Sequence, residues 1–168
     1  MTAFVGPELV ERTWQRLGAL PAPEMVKLQH QSGKLQPELV GFVLGFSSAL
    51  STEAVGLALY VMIVVLEMFR TASVKKMRKV NDAAIMRLWH ESQKAVKESL
   101  DAPSGTDSLT VLLAGSSEPA VLEYVFDALT DTEQEDPVAL SAEELEHLLA
   151  ILRTFVEALH QVCRPLRA

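Results

Sequence analysis

The stretch AVGLALYVMIVVL, residues 54–66, decides how the rest of the chain has to be arranged. It carries no charge and no side-chain amide, and Glu53 and Glu67 close it at its two ends. A bilayer, the protein's own core or a partner protein could bury it. Because a membrane-spanning helix needs about 20 apolar residues, this shorter length predicts a buried core helix.

A re-entrant membrane hairpin is the alternative for the wider region. Residues 39–66 hold only Glu53 as a charge, and Gly41 and Gly45 have the small-xxx-small spacing of paired membrane helices. The flanking segments read as ordinary amphipathic helices, and no second span follows. The pattern therefore favours a protein core over a membrane.

Composition and charge limit the class of protein. The chain has 168 residues, of which 49% are hydrophobic and 22% charged, and its net charge is −7. This length predicts one domain, with residues 1–100 and 108–168 as candidate sub-units joined by a linker at 101–107. The high apolar content favours a protein partner or a homo-oligomer, and the negative charge argues against nucleic acid.

The single cysteine and the N-terminal residues bear on the cellular compartment. Cys163 has no second cysteine with which to form an intrachain disulfide. The first residues lack a basic segment followed by an apolar one, and an acid already occurs at Glu8. We therefore expect a cytoplasmic protein.

Helix start signals recur along the chain, and little in the pattern suggests a strand. Pro7 and Pro37 suit the first position of a helix, and Ser51 suits an N-cap. Ser141 and Glu144 form a capping-box pattern. The sequence predicts an all-α fold, a compact helical bundle of about six to seven helices.

The helix that follows Ser51 is predicted to run to about Val80 and to lie in the middle of the bundle. Five of its residues are expected to be among the least exposed in the protein: Val55, Leu59, Met62, Ile63 and Leu66. Gly45 and Gly56 lie about equally far from the turn near Ser51. We therefore expect them to face each other across an antiparallel helix pair and to let the two axes approach closely.

Two segments of the chain are similar to each other. QPELVGFVL (36–44) and EPAVLEYVF (118–126) share a proline, an aliphatic pair, an aromatic residue and a valine at the same spacing. The helices that follow also match, with Ser51, Glu53, Val55, Leu59 and Glu67 corresponding to Ser141, Glu143, Leu145, Leu149 and Glu157. The similarity predicts a duplicated helical hairpin at 37–69 and 119–159, with an acidic insertion in the second copy. Preferences common to all helix starts are the alternative explanation.

Two Glu-x-x-His pairs have the spacing that di-iron bundles use for metal ligands, Glu144 with His147 and Glu157 with His160. Both pairs lie on one helix, where their histidines would be about 20 Å apart along the axis. They cannot share a metal ion within one bundle. We interpret them as part of a solvated polar face that also holds Arg153, and we predict no metal and no cofactor.

Nucleophilic catalysis has no recognisable signature in the chain. Cys163 falls on the apolar stripe of the last helix, where thiols are usually inert. His90 lies between Trp89 and Glu91, but adjacent helical residues point in different directions. An enzyme is therefore a hypothesis without a site that can be read from the sequence.

A run of cations without any acid occupies residues 70–79, and its members are Arg70, Lys75, Lys76, Arg78 and Lys79. Region 118–157, by contrast, holds eleven acids and one base. Cations favour a helix C-terminus, which explains the run without a function. A surface for an acidic partner, including a second copy of the chain, is the functional alternative. Nucleic acid is less favoured, since no aromatic residue in the run can stack on a base.

These patterns together predict a non-enzymatic helical domain that serves protein interaction or regulation. A protein partner or self-association is favoured over nucleic acid and over a membrane. A regulator that binds nucleic acid or another anion through the 70–79 run is the first alternative. An enzyme is the second.

Overall fold

The apolar stretch at 54–66 lies within one helix of an entirely helical fold. The structure is a computed structural model and describes residues 3–73, 75–103, 107–131 and 138–163. Within those ranges it contains eight helices and no strand. The helices are α1 (Pro7–Gly18), α2 (Ala22–Leu35), α3 (Pro37–Ser47), α4 (Thr52–Ala72), α5 (Asp82–Leu100), α6 (Ser108–Ala114), α7 (Pro119–Thr130) and α8 (Ala142–Cys163).

The all-α fold is confirmed, but the predicted count of six to seven helices was too low. The short segment Ser108–Ala114 is a helix of its own, α6, which brings the count among the described residues to eight. Asp107 begins α6 by accepting a hydrogen bond from Leu109 N. Of the predicted linker at 101–107, residues 104–106 lie outside the described residues.

The helices begin at the predicted signals. Pro7 and Pro37 lie in the first turns of α1 and α3, and Ser51 caps α4. Ser141 N donates to Glu144 Oε1 (3.2 Å) and Glu144 N donates to Ser141 Oγ (3.1 Å), which is the predicted capping box. Glu144 Oε2 also accepts from Ser51 N and Oγ, and these bonds lower the pKa of Glu144. One carboxylate thus joins the starts of α4 and α8.

Two helices, α4 and α8, pack against each other in the middle of the fold, and α8 is buried over the longer stretch. Every α8 residue from Leu148 to His160 is buried, and α8 packs against α3, α4, α5 and α7. In α4 only the stretch from Val61 to Phe69 is buried on all sides. The prediction that Arg153 and Glu157 lie on a wet face of α8 was wrong, since both are buried, although Glu146 of the same helix is exposed. Arg153 and Glu157 find partners inside the fold instead.

The expected burial of α4 is correct for its second half. Met62, Ile63 and Leu66 are almost inaccessible, whereas Val55 and Leu59 are half-buried. By length and composition alone α4 could cross a membrane, and it is the one such helix among the described residues. The fold buries 61% of its most apolar window, as is typical of a core helix in a soluble protein.

Gly45 and Gly56 do not bring α3 and α4 together. Both residues are exposed, and a Cβ added to either would meet no atom within 4 Å. The predicted facing pair was wrong. Equal distance from a turn fixes the height of two residues along a helix pair but not their rotation about the axes.

The chain leaves α4 at Ala72, well before the predicted end near Val80, and residues 76–81 have no helical structure. The Gln36 side chain holds this segment. Its Nε2 donates to Arg78 O (2.8 Å), and its Oε1 accepts from Val80 N (3.0 Å).

Glu118 holds the N-terminal segment in a similar way, by accepting hydrogen bonds from Phe4 N and Val5 N. Gln36 and Glu118, which we call the clamp residues, are both fully buried and both precede the first-turn proline of a helix. Their backbone angles are nearly the same, with φ −138° and ψ 67° for Gln36 and φ −132° and ψ 69° for Glu118. Gln36 thus holds the segment that leads into α5, and Glu118 holds the segment that leads into α1.

Part of the helix packing in the half α1–α4 recurs in the half α5–α8, whereas α2 packs against α4 and α5 against α6 without a comparable contact in the other half. The contacts α1 with α4, α2 with α3, and α3 with α4 recur as α5 with α8, α6 with α7, and α7 with α8. Between the halves, α1 packs against α7, α3 against α5, and α4 against α8. The predicted acidic insertion falls mostly on residues 132–137, which lie outside the described residues.

Candidate functional site

The five cations of the predicted interaction run have different surroundings. Arg70 lies in the last turn of α4, where Glu67 accepts two hydrogen bonds from it at 2.9 Å and raises its pKa. Lys75 and Lys76 are exposed beyond the helix end, and Arg78 and Lys79 line a cleft beside α5 and α8. Stabilisation of a helix C-terminus therefore explains Arg70 alone.

A groove of about 590 Å³ lies between α1, α4 and α7, and we call it the acidic groove. Its walls carry apolar and aromatic side chains, among them Val10 and Trp14 of α1, Leu57 and Tyr60 of α4, and Tyr124 of α7. Trp14 is 43% exposed and Tyr60 is 37% exposed. Exposed aromatic residues that lie next to one another are typical anchors of an interface.

The rim of the acidic groove carries only negative charge. Four carboxylates line it, from Glu11, Glu123, Asp127 and Asp131, and within the described part of the chain no lysine or arginine does. Burial and the nearby charge of Asp131 raise the pKa of Asp127. Burial also raises the pKa of Tyr60 and, together with the neighbouring Tyr60, that of Tyr124. Such a site suits a ligand that combines positive charge with an apolar group.

The residues that lead into α1 and α5 share a pattern that places two tryptophans at the same position. FVGPELVERTW (4–14) and KVNDAAIMRLW (79–89) have valine, arginine and tryptophan at identical spacing. Trp14 therefore corresponds to Trp89. The two rings nevertheless differ in exposure, since Trp89 is buried and Trp14 is not.

The protein's own side chains fill the place around Trp89. Its ring packs edge-on against Phe42 and Phe46 of α3, with ring centroids 5.6 and 5.1 Å away, and against His147 of α8 at 5.6 Å. In α7 the residue that corresponds to Phe46 is Ala128, which lines the acidic groove. Beside Trp14 the place of a phenylalanine is thus taken by an alanine, and the groove there is about 590 Å³, whereas the cavity that Trp89 lines is about 290 Å³.

Two polar side chains that were expected on a wet face of α8 are buried. Arg153 donates to Ser92 Oγ (3.0 Å) and to Gly115 O (3.2 Å). Glu157 Oε1 accepts from Ser116 Oγ (2.8 Å). These contacts explain how α8 can be buried on all sides despite its charges.

His160 is a third buried polar residue of α8, with 3% exposure. Its Nδ1 lies 2.9 Å from Oε1 of the clamp residue Glu118, while its Nε2 has no hydrogen-bond partner among the described residues. His160 also lines the cleft that holds Arg78 and Lys79.

The two Glu-x-x-His pairs serve separate contacts within the fold. Glu144 caps two helices, and His147 Nε2 lies 2.6 Å from Phe46 O. Within the described ranges, no three His, Cys, Asp or Glu side chains come together as metal ligands would. Cys163 is a buried free thiol, and burial and the charge of Glu118 raise its pKa to about 12.

Sequence reasoning did not select the residues of the acidic groove, although a signal for them exists. One face of each of two helices combines acidic and aromatic residues with small or apolar ones at helical spacing, in α1 as Pro7, Val10, Glu11 and Trp14 and in α7 as Ala120, Glu123, Tyr124 and Asp127. Either stripe alone resembles an ordinary solvated helix face. Only the tertiary structure places the two stripes opposite each other.

Comparison of the chain with protein-family models, with curated proteins and with solved structures gave no match. A function has to be inferred from the geometry of the groove and the cleft.

Proposed function

We propose that this protein is a non-enzymatic interaction domain and that its acidic groove binds a basic segment of a partner protein. One observation carries the proposal: the groove presents the exposed aromatic residues Trp14 and Tyr60, and its charged lining residues among those described are all carboxylates. A lysine- or arginine-rich segment complements these carboxylates, and its apolar residues pack against the aromatic rings.

The other half of the molecule suggests what enters the groove. We propose that the chain is a duplicated four-helix unit, α1–α4 and α5–α8. Support comes from the repeated packing pattern, from the matched backbone of the clamp residues and from the Trp14–Trp89 correspondence. Phe46 of the first unit packs against Trp89, the tryptophan of the second unit. A partner therefore supplies the large apolar side chain that Ala128 does not.

The duplication has its own test, a superposition of the two units with Pro37 laid on Pro119 and Ser51 on Ser141. Matching helix crossings are expected. Crossings of opposite hand would mean that the shared residues reflect only common preferences of helix starts and cores.

A separate partner fits the groove better than a second copy of this chain. The chain's own basic segment at 75–79 offers Lys75, Lys76, Arg78 and Lys79, but its one apolar side chain, Met77, is only 8% exposed. If this segment bound in the groove of another copy, its cations would meet the carboxylates, but no exposed apolar side chain would pack against the aromatic residues.

We also propose that the protein acts in the cytoplasm. Its single cysteine, a buried free thiol, suits a reducing compartment.

A fluorescent basic amphipathic peptide with phenylalanine on its apolar face provides the test. Binding should change the fluorescence of Trp14, the more exposed of the two tryptophans, and should weaken with salt. The double variant Glu123→Gln/Asp127→Asn should bind the peptide several-fold more weakly than the parent chain, because it removes two carboxylates from the rim.

The matched control is Glu143→Gln/Glu146→Gln, which neutralises two exposed carboxylates of α8 outside the groove. An equal loss of affinity in both variants, or no peptide binding by the parent chain, would refute the proposal. Self-association that competes with the peptide and is lost in Lys75→Glu/Lys76→Glu would identify a second copy as the occupant instead.

A further inference from the structure

The cleft beside α5 and α8, about 520 Å³ in volume, is lined by three cations, Arg78, Lys79 and Arg87. Arg78 and Lys79 belong to the extended segment before α5, and Arg87 lies on α5. Asn81 and Ala84 also line the cleft, which places the positive end of the α5 dipole there. We call this site the basic cleft.

Hydrogen bonds hold the two guanidinium groups towards the same residue. Arg78 Nη2 donates to Gln161 O (3.3 Å), and Arg87 Nη2 donates to Gln161 Oε1 (3.2 Å). Neither arginine forms an ion pair with a described residue, and neither does Lys79. Three cations without an ion pair to a described residue therefore line one cleft in a protein whose net charge is −7.

One acid among the described residues, Glu157, lines the basic cleft and accepts hydrogen bonds from within the fold. Glu157 Oε1 accepts hydrogen bonds from Ser116 Oγ and Ser117 N. Asp82, next to the cleft in sequence, is not among the residues that line it and lies beside Glu38 of α3. Positive charge thus dominates the cleft.

The wall of the cleft also contains a polar atom that lacks a partner. His160 is 3% exposed, and its Nε2 is unpaired within the described residues. A buried polar atom without a hydrogen bond is destabilising, and it points to a bound group that satisfies it. When the ring carries both protons, Nδ1 donates to Glu118 and Nε2 can donate to an oxygen of a ligand.

We propose that the basic cleft binds a phosphate-bearing small molecule. Arg78, Lys79 and Arg87 hold its phosphate group, and His160 Nε2 donates to one of its oxygens. Guanidinium groups match the geometry of phosphate oxygens, and a concave site of this volume suits a small molecule better than a nucleic-acid strand. This site is separate from the acidic groove and does not depend on it.

Isothermal titration with inorganic pyrophosphate as the probe tests the proposal. The parent chain should bind pyrophosphate, and Arg87→Gln and Lys79→Gln should each weaken binding about tenfold, as the loss of one charged hydrogen bond of about 1.4 kcal/mol predicts. Arg12→Gln is the matched control, since Arg12 is the exposed arginine that corresponds to Arg87 in α1. It should bind pyrophosphate as the parent chain does.

The ring resonances of His160 provide a second readout that does not depend on affinity. Pyrophosphate should shift them in the parent chain and leave those of the exposed His30 and His90 unchanged. Unshifted His160 resonances, no binding at about 10 mM pyrophosphate, or equal weakening by Arg12→Gln would overturn the proposal. Tighter binding of a single-stranded oligonucleotide, lost with Arg87→Gln, would replace the small molecule with nucleic acid.

Discussion

At the scale of single residues, the clamp residues Gln36 and Glu118 occupy similar positions with different chemistry. Gln36 has to donate to Arg78 O and accept from Val80 N, which an amide can do. Glu118 accepts from Phe4 N and Val5 N and also contacts His160 Nδ1. The two side chains are therefore not interchangeable.

We predict that Glu118→Gln destabilises the fold. An amide nitrogen in place of one carboxylate oxygen would face a backbone N–H that can then find no acceptor, at a cost of about 1–3 kcal/mol. Urea unfolding followed by circular dichroism measures the loss. Glu123→Gln, an exposed change on the same helix, should stay within about 0.5 kcal/mol of the parent. Equal stability of the two variants would argue against the clamp.

A second residue prediction concerns Cys163. Because only the thiolate reacts and the pKa of this thiol is raised to about 12, a disulfide reagent at about pH 8 should modify the native protein very slowly. The same reagent should react at the ordinary rate of a free cysteine in denaturant. Fast labelling without denaturant would show that the end of α8 opens readily.

At the scale of helices, α3 and α5 meet through two acids. A hydrogen bond to Asp82 and the charge of Asp82 raise the pKa of Glu38 above its ordinary value of 4.5. The protonated form of Glu38 stabilises the fold below that value, and this contribution is lost as the pH rises through the raised pKa. At neutral pH the two carboxylates repel each other.

We therefore predict that Glu38→Gln raises the melting temperature at pH 7 and changes it little at about pH 4. Glutamine is neutral at both values and can still donate to Asp82. Glu8→Gln is the control, because Pro-Glu-Leu-Val also begins α1 at residues 7–10. The same gain from both substitutions would mean that removal of negative charge in general causes it.

The comparison of α4 with α8 explains which parts of the fold could be predicted. Cap residues such as Ser51 and Ser141 act locally, so that the sequence predicts where these helices begin. Burial of Arg153 and Glu157 depends on acceptors and donors from distant parts of the chain, such as Gly115 O and Ser116 Oγ. No periodicity within α8 contains that information.

At the scale of the whole molecule, the acidic groove depends on differences between two similar halves. Each wall has the composition of an ordinary solvated helix face. A groove forms only because the two walls face each other in the fold. The basic run at 70–79 could be recognised in the sequence. Its cations lie in three places, with Arg70 at the end of α4, Lys75 and Lys76 exposed beyond it, and Arg78 and Lys79 in the basic cleft, because α4 stops early. Sequence reasoning extended that helix too far, because no proline or glycine marks its end.

One substitution tests the relation between the halves. Ala128→Phe places in the acidic groove the side chain that Phe46 provides beside Trp89. We predict a blue shift of the Trp14 emission and loss of binding of the basic peptide, because the new ring occupies the space of its anchor. Ala83→Phe, an exposed position on α5, is the control and should change neither property. Full peptide binding by Ala128→Phe would show that the open groove is not the docking site.

The clamp at Glu118 also has a consequence for synthesis on the ribosome. Val5 N donates to Glu118, which lies 113 residues further along the chain and is therefore synthesised later. At about 5–20 residues per second, that interval is roughly 6–23 s. During this time α4 has been made while α7 and α8, which pack against it, are still missing. We expect the nascent chain to present its most apolar segment to chaperones until the second half emerges.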